Sequence, residues 1–149
     1  MGLFTDLDGK VAALIRFTVY GTAQPQGSSR AFVPKGWTRA VITSSNPKLK
    51  SWRQEFAKAA MLACKDHDCP VPRNVAMAVI IGFYFAKPKS TKKSVQHKVT
   101  KPDVDKLLRA ALDGMTGIVY HDDSQVTDAR VKKFFGLPER AEIAVGLAE

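Results

Sequence analysis

Two short runs gather acids in a chain that is otherwise basic. Lys101-Pro102-Asp103-Val104-Asp105-Lys106-Leu107-Leu108-Arg109 is followed, after a short connection, by His121-Asp122-Asp123-Ser124-Gln125. Hard divalent cations take oxygen ligands, and magnesium uses one or two carboxylates, several waters and substrate phosphate. Asp103 and Asp105 at a helix start, with Asp122 and Asp123 in a separate turn, are expected to converge on such an ion. An ion there would activate water and stabilise charge on a scissile phosphate and its leaving oxygen. Arg109 lies four residues after Asp105 on the same helical side. It is placed to pair with Asp105 or to neutralise charge in a transition state. Acids in a first helical turn also suit the helix dipole and can cap free amides. That accounts for one of Asp103 and Asp105, not for the second or for the later pair. The residues alone leave open which of Asp122 and Asp123 is the ligand.

The elements that position these acids follow from the pattern. Ile15 to Val19 alternates apolar and polar, as a half-buried strand does. Gly21 to Arg30 is a loop rich in turn residues. Ala31 to Val33 and Arg39 to Ile42 are expected as two short strands around Pro34-Lys35-Gly36. Asn46-Pro47 is a helix start; Leu49, Trp52, Phe56, Ala59 and Ala63 follow at helical spacing, to about Cys64. Val75 to Phe85 is apolar on both faces, which predicts a central strand. Asp103 to about Met115 is a second helix, with Leu107, Leu108, Ala111, Leu112 and Met115 as its stripe. Pro102 sets an extended approach to it. Val126 to Phe135 and Arg140 to Leu147 are closing strands around Gly136-Leu137-Pro138. The expected fold class is α+β: one small domain over residues 1–149, a mixed or antiparallel sheet with two main helices packed on it. Residues 1–12 are expected to be a flexible N-terminal extension.

Composition narrows the partner. The chain has 23 Lys and Arg against 14 Asp and Glu, a net charge of +9. Such a balance attracts polyanions. Residues 86–101 hold Lys87, Lys89, Lys92, Lys93, Lys98 and Lys101 with no acid, a flexible basic loop directly before the acids. No apolar run approaches the length of a membrane span, and the N-terminus lacks a secretory pattern, so the chain reads as cytoplasmic. Cys64 and Cys69 match no common zinc spacing and read as a helix end followed by a loop. Trp52 reads as core, and Trp37 is not interleaved with basic residues as in a stacking platform.

From Lys101 to Gly114 and from Gly117 to Val126 the chain resembles the RusA family of Holliday-junction resolvases. A weaker echo lies in Gln24-Pro25-Gln26-Gly27-Ser28-Ser29-Arg30. The resemblance implies a small α+β subunit acting as a homodimer on branched DNA, a four-way junction. It implies a magnesium-dependent endodeoxyribonuclease, with manganese as a substitute, that resolves the junction by paired nicks in recombination, repair or phage DNA processing. Carried over, Asp103, Asp105 and Asp123 form the metal site and, with Arg109, the catalytic set; Asp122 is the fourth metal candidate. Arg30, Lys87, Lys89, Lys92, Lys93, Lys98, Lys101 and Lys106 are the expected DNA contacts, since phosphate neutralisation supplies most of the affinity. Two positions depart from the family pattern. Lys106 replaces the usual Asn, and Arg109 replaces a catalytic Lys; Arg keeps the charge but holds its proton more firmly. Ser28 and Ser29 also stand where relatives often carry Arg and Pro. The alternative is a non-catalytic branched-DNA-binding protein on the same scaffold. No small-molecule cofactor or membrane is implied.

Overall fold

The computed structural model describes residues 13–27, 29–44 and 46–148; for 29–31 and 42–44 it describes the backbone alone. Residues 1–12, expected as an extension, lie outside the described residues. The elements are β1 (Ala13–Tyr20), β2 (Ser29–Phe32), β3 (Val41–Ser44), α1 (Leu49–Cys64), β4 (Met77–Phe85), α2 (Val104–Met115), a 3-10 turn (Asp123–Gln125), β5 (Val126–Phe135) and β6 (Arg140–Leu147). This is the small α+β fold expected from the pattern.

Strand order in the four-stranded sheet is β1-β6-β4-β5. β4 runs antiparallel to β6 and parallel to β5. A parallel neighbour requires a crossover, and α2 lies in that crossover. β5 and β6 are consecutive in the chain, yet they flank β4 instead of pairing with each other. Their connection is fixed from outside: Gly136 N–H donates to the Phe85 carbonyl at 2.9 Å, and Gly21 N–H to that of Glu139 at 3.0 Å. β2 and β3 form a separate antiparallel hairpin.

β4 is central because both its faces are buried. Met77, Val79, Ile81, Phe83 and Phe85 join the main core with Phe56, Leu107, Met115, Ile143 and Val145. Ala78 and Ile80 lie in a separate small cluster against Ala148.

Both helices pack into the main core. On α1 the buried row is Leu49, Trp52, Phe56, Ala60 and Cys64. The expected Ala59 and Ala63 are only half-buried, because the row advances in steps of four from Trp52. Phe56 meets Phe17 edge-on at 5.6 Å and Trp52 at 5.9 Å. A Cβ built on Gly114 of α2 would lie 3.1 Å from the Phe56 ring, so the helices approach closely there. The buried row of α2 is Leu107, Ala110, Ala111, Gly114 and Met115, with Leu108 and Leu112 at its margin. The expected cap at Asn46 is displaced: Lys48 is the N-cap of α1 with no side-chain cap, and Asn46 Oδ1 accepts from Lys48 N–H at 3.1 Å just before the helix. Among the described residues no helix is long and apolar enough to cross a membrane.

Candidate active site

Asp103 is the N-cap residue of α2, in extended conformation, and its carboxylate does not cap the helix. It points instead toward Lys106, at 3.7 Å between exposed side chains. Asp105 sits in the first turn, exposed. Among the described residues Asp105 and Arg109 form no ion pair with each other, although their spacing allows one.

The approach to Asp103 is built from beneath. Lys133 on β5 faces the helix layer and donates to the Thr100 carbonyl at 2.7 Å and the Pro102 carbonyl at 2.8 Å. A cleft of about 540 Å³ opens beside this segment, lined by Thr22, Gln24, Lys98, Lys101, Asp103 and Lys106 among others. The early loop closes it: Gln26 N–H donates to the Lys106 carbonyl at 3.0 Å.

The second acid pair is held by Gln125, a buried polar side chain only 6% exposed. Its Oε1 accepts from His121 N–H at 2.9 Å and Asp122 N–H at 3.1 Å. Its Nε2 donates to the carbonyls of Pro72 at 2.8 Å and Val75 at 3.1 Å. Asp122 accepts from Ser124 N–H at 3.0 Å, completing a capping box. The Ser124 backbone and hydroxyl hold the Asp122 carboxyl below its ordinary range. Asp123 is the opposite case. Burial pushes its carboxyl up, reinforced by Asp122 and by the charge of Asp113. The two neighbours therefore differ: Asp122 shapes the turn, and Asp123 faces a concentration of negative charge.

Among the described residues Asp103, Asp105 and Asp123 do not form a three-acid group that could hold a metal. α2 has 12 residues, about 18 Å at the helical rise. Asp103 and Asp105 sit at its start. Asp123 feels Asp113, near its end, where Tyr120 Oη donates to the Leu112 carbonyl at 2.8 Å. Among the described residues no three His, Cys, Asp or Glu side chains come together to hold a metal. The donor chemistry still suits magnesium, which keeps waters and takes one or two carboxylates. The crowded charge at Asp123 is what a cation would relieve.

The expected DNA contacts divide. Lys89, Lys92 and Lys93 are exposed in the basic loop, and Lys101 and Lys106 line the cleft. Lys87 is turned inward, donating to the carbonyls of Lys92 at 3.1 Å and Lys93 at 2.9 Å. Lys98 lies 5.5 Å over the Phe85 ring and donates to Thr100 Oγ1 at 2.8 Å, on the cleft wall. The loop is thus hydrogen-bonded into shape, and His97 bridges to Phe134 of β5. The side chain of Arg30 lies outside the described residues. A second cleft, of about 590 Å³, lies between α1 and the end of α2, where Lys50 and Arg53 face Asp113.

Sequence reasoning missed Gln125 and Lys133, and set Asp113 aside as a surface acid eight residues along the helix from Asp105. Gln125 had a signal: Asp122-x-x-Gln125 is a capping-box spacing. Lys133 had one too, a lysine on the inward face of a strand, where charge needs partners. Asp113 had none, since its neighbour Asp123 is reached only through the chain reversal after α2.

The family model described as endodeoxyribonuclease RusA matches residues 22–146. Over 141 residues the chain is 30% identical to the uncharacterized protein YqaN of Bacillus subtilis strain 168, covering 88% of this chain and 94% of that protein. Over 89 residues it is 33% identical to the crossover junction endodeoxyribonuclease rusA of Lactococcus phage r1t, covering 59% of this chain and 66% of the phage protein.

Proposed function

The chain belongs to the RusA endodeoxyribonuclease family, and from that premise we propose a metal-dependent endonuclease that resolves four-way DNA junctions by paired nicks. Its setting is recombination, repair or phage DNA processing in the cytoplasm. The observation that carries this reading is Asp103 at the wall of a cleft that also bears Lys98, Lys101 and Lys106. A carboxylate among lysines suits a phosphodiester: the lysines draw the backbone in, and the acid stands beside it.

The chain's own residues divide the work. Lys101 and Lys106 neutralise strand phosphates, and Lys89, Lys92 and Lys93 extend that surface. Asp103, Asp105 and Asp123 are the proposed ligands. When bound, magnesium, or manganese in its place, supplies Lewis acidity toward the phosphate. Arg109 presents a planar cationic fork, suited to offsetting charge that builds on phosphate oxygens.

A homodimer joins the separated acids. Two copies with α2 helices antiparallel would set Asp103 and Asp105 of one beside Asp122 and Asp123 of the other. Two such sites per dimer match two nicks on opposed strands.

The second reading, a branched-DNA-binding protein without cleavage, draws on the Lys106–Asp103 ion pair, which occupies one proposed ligand. Cleavage of a synthetic four-way junction, in magnesium and in EDTA, tests both. Paired magnesium-dependent nicks by the wild type, with binding but no cleavage by Asp105→Asn, support the nuclease. Tight binding without cleavage in any divalent metal supports the second reading.

A further inference from the structure

The β2–β3 hairpin carries an exposed tryptophan in an acid-free stretch of the sequence. No Asp or Glu occurs between Asp8 and Glu55. The hairpin tip is a β-turn in which Trp37 N–H donates to the Pro34 carbonyl at 2.9 Å, with Gly36 at φ 83°. This is a type II turn, whose third position favours glycine. The turn presents Trp37 at 62% exposure, between exposed Lys35 and Arg39. Phe32 and Val33 below it are exposed at 45% and 57%. The other tryptophan, Trp52, is buried at 5% exposure.

The hairpin is rooted at the acids. Just before β2, Gln26 is bonded to the Lys106 carbonyl in the first turns of α2. Just after β3, Asn46 Nδ2 donates to Gln24 Oε1 at 3.1 Å and to the Pro25 carbonyl at 3.2 Å. Both ends of the hairpin are thus tied to the wall of the cleft that bears Asp103.

An exposed indole between two cations, in a stretch that carries no acid, fits a nucleobase flanked by phosphates. Stacking on an aromatic ring is strong and tolerant of sequence. Continuous duplex keeps its base faces covered, whereas a branch point offers unstacked ones. Resting on the junction-nuclease reading, we propose that Trp37 stacks on an unstacked base at the DNA branch point, with Lys35 and Arg39 on the adjoining phosphates. Charge argues against an apolar protein surface as the occupant.

The test compares wild type, Trp37→Phe and Trp37→Ala on a labelled four-way junction and a linear duplex of matching sequence, without divalent metal. Trp37→Ala is expected to weaken junction binding about five- to thirtyfold, with duplex binding unchanged. Trp37→Phe should retain most of the affinity. The junction should quench wild-type tryptophan emission, with Trp52 as a shielded background, and the duplex should not. Equal junction affinity in wild type and Trp37→Ala would overturn the stacking role, as would parallel losses on junction and duplex. A changed sedimentation coefficient in Trp37→Ala would assign the ridge to a subunit contact instead. If Trp37→Ala binds and cleaves the junction like wild type, the stacking role falls and the nuclease stands. If the wild type shows no preference for the junction, both fall together.

Discussion

Lys133 holds Pro102 in place from β5: its Nζ donates to the Pro102 carbonyl at 2.8 Å and shares itself with Thr100 at 2.7 Å. The residue after Pro102 is Asp103, so this lysine sets where the first acid begins. Lys133→Met should lower unfolding free energy by about 1–3 kcal/mol, the scale of hydrogen bonds from a charged group. Cleavage turnover should fall further than junction affinity, because the substitution displaces Asp103 and leaves the exposed lysines intact. Urea unfolding and single-turnover cleavage measure the two effects. An unchanged turnover would remove Lys133 from the site.

Gln125 makes four hydrogen bonds while almost fully buried. Gln125→Leu is close in size and leaves His121 and Asp122 N–H groups and two carbonyls without these partners. A loss of about 2–4 kcal/mol is expected. Amide exchange at His121 and Asp122 should quicken before global unfolding. A melting temperature equal to wild type would show that the acidic turn holds itself.

Separated acid pairs make a prediction that mixing can test. Asp105→Asn and Asp123→Asn should each be inactive alone. If sites form between chains, mixed dimers contain one site with both acids intact and one with both lost. Co-refolded mixtures should then nick one strand of the junction at roughly a quarter of wild-type rate, half the dimers being mixed with one site each. Persistent inactivity of a mixture with verified heterodimers would place each site inside one chain.

Alkaline pH should destabilise the fold through Cys64. Burial pushes its thiol up to about 12, and contact with Cys69 adds to this. The unfolded thiol ionises first, near its ordinary value. Stability is therefore full below about pH 8.5 and falls as pH rises, by up to about 1.4 kcal/mol per unit for one thiol. Burial also raises the Tyr120 phenol, which extends the loss above pH 10. Cys64→Ala should flatten the first part of the curve. In native protein at neutral pH, iodoacetamide should spare Cys64 and label it only on unfolding.

The long periodic elements were legible because burial writes itself into spacing. β4 and α2 are examples: one is apolar on both faces, the other striped. The β6-β4-β5 order was not legible, since strands adjacent in the chain carry no mark of inserting a third between them. The acids were legible by type and clustering, but the arrangement of the two pairs in space was not. The run from Lys101 to Arg109 fixes Asp103 and Asp105 on one turn. The reversal through Thr116 and Gly117, which brings Asp123 under the influence of Asp113, depends on long-range contacts such as Val71 N–H to the Val119 carbonyl. The exposed Trp37 was equally hidden, because a tryptophan beside one lysine and one arginine reads the same whether a turn displays it or a core encloses it.

The basic loop has a second consequence, through the strand it borders. β5 is an edge strand, and Phe135 N–H donates to the Gln96 carbonyl at 2.8 Å while Lys98 N–H donates to that of Lys133 at 3.4 Å. An uncovered edge is a template on which another chain can add a strand. Removing the loop to abolish DNA contacts would also bare that template. Solubility and substrate capture are therefore inherited together: a shortened descendant would meet fibril-like self-association as well as a loss of grip on DNA.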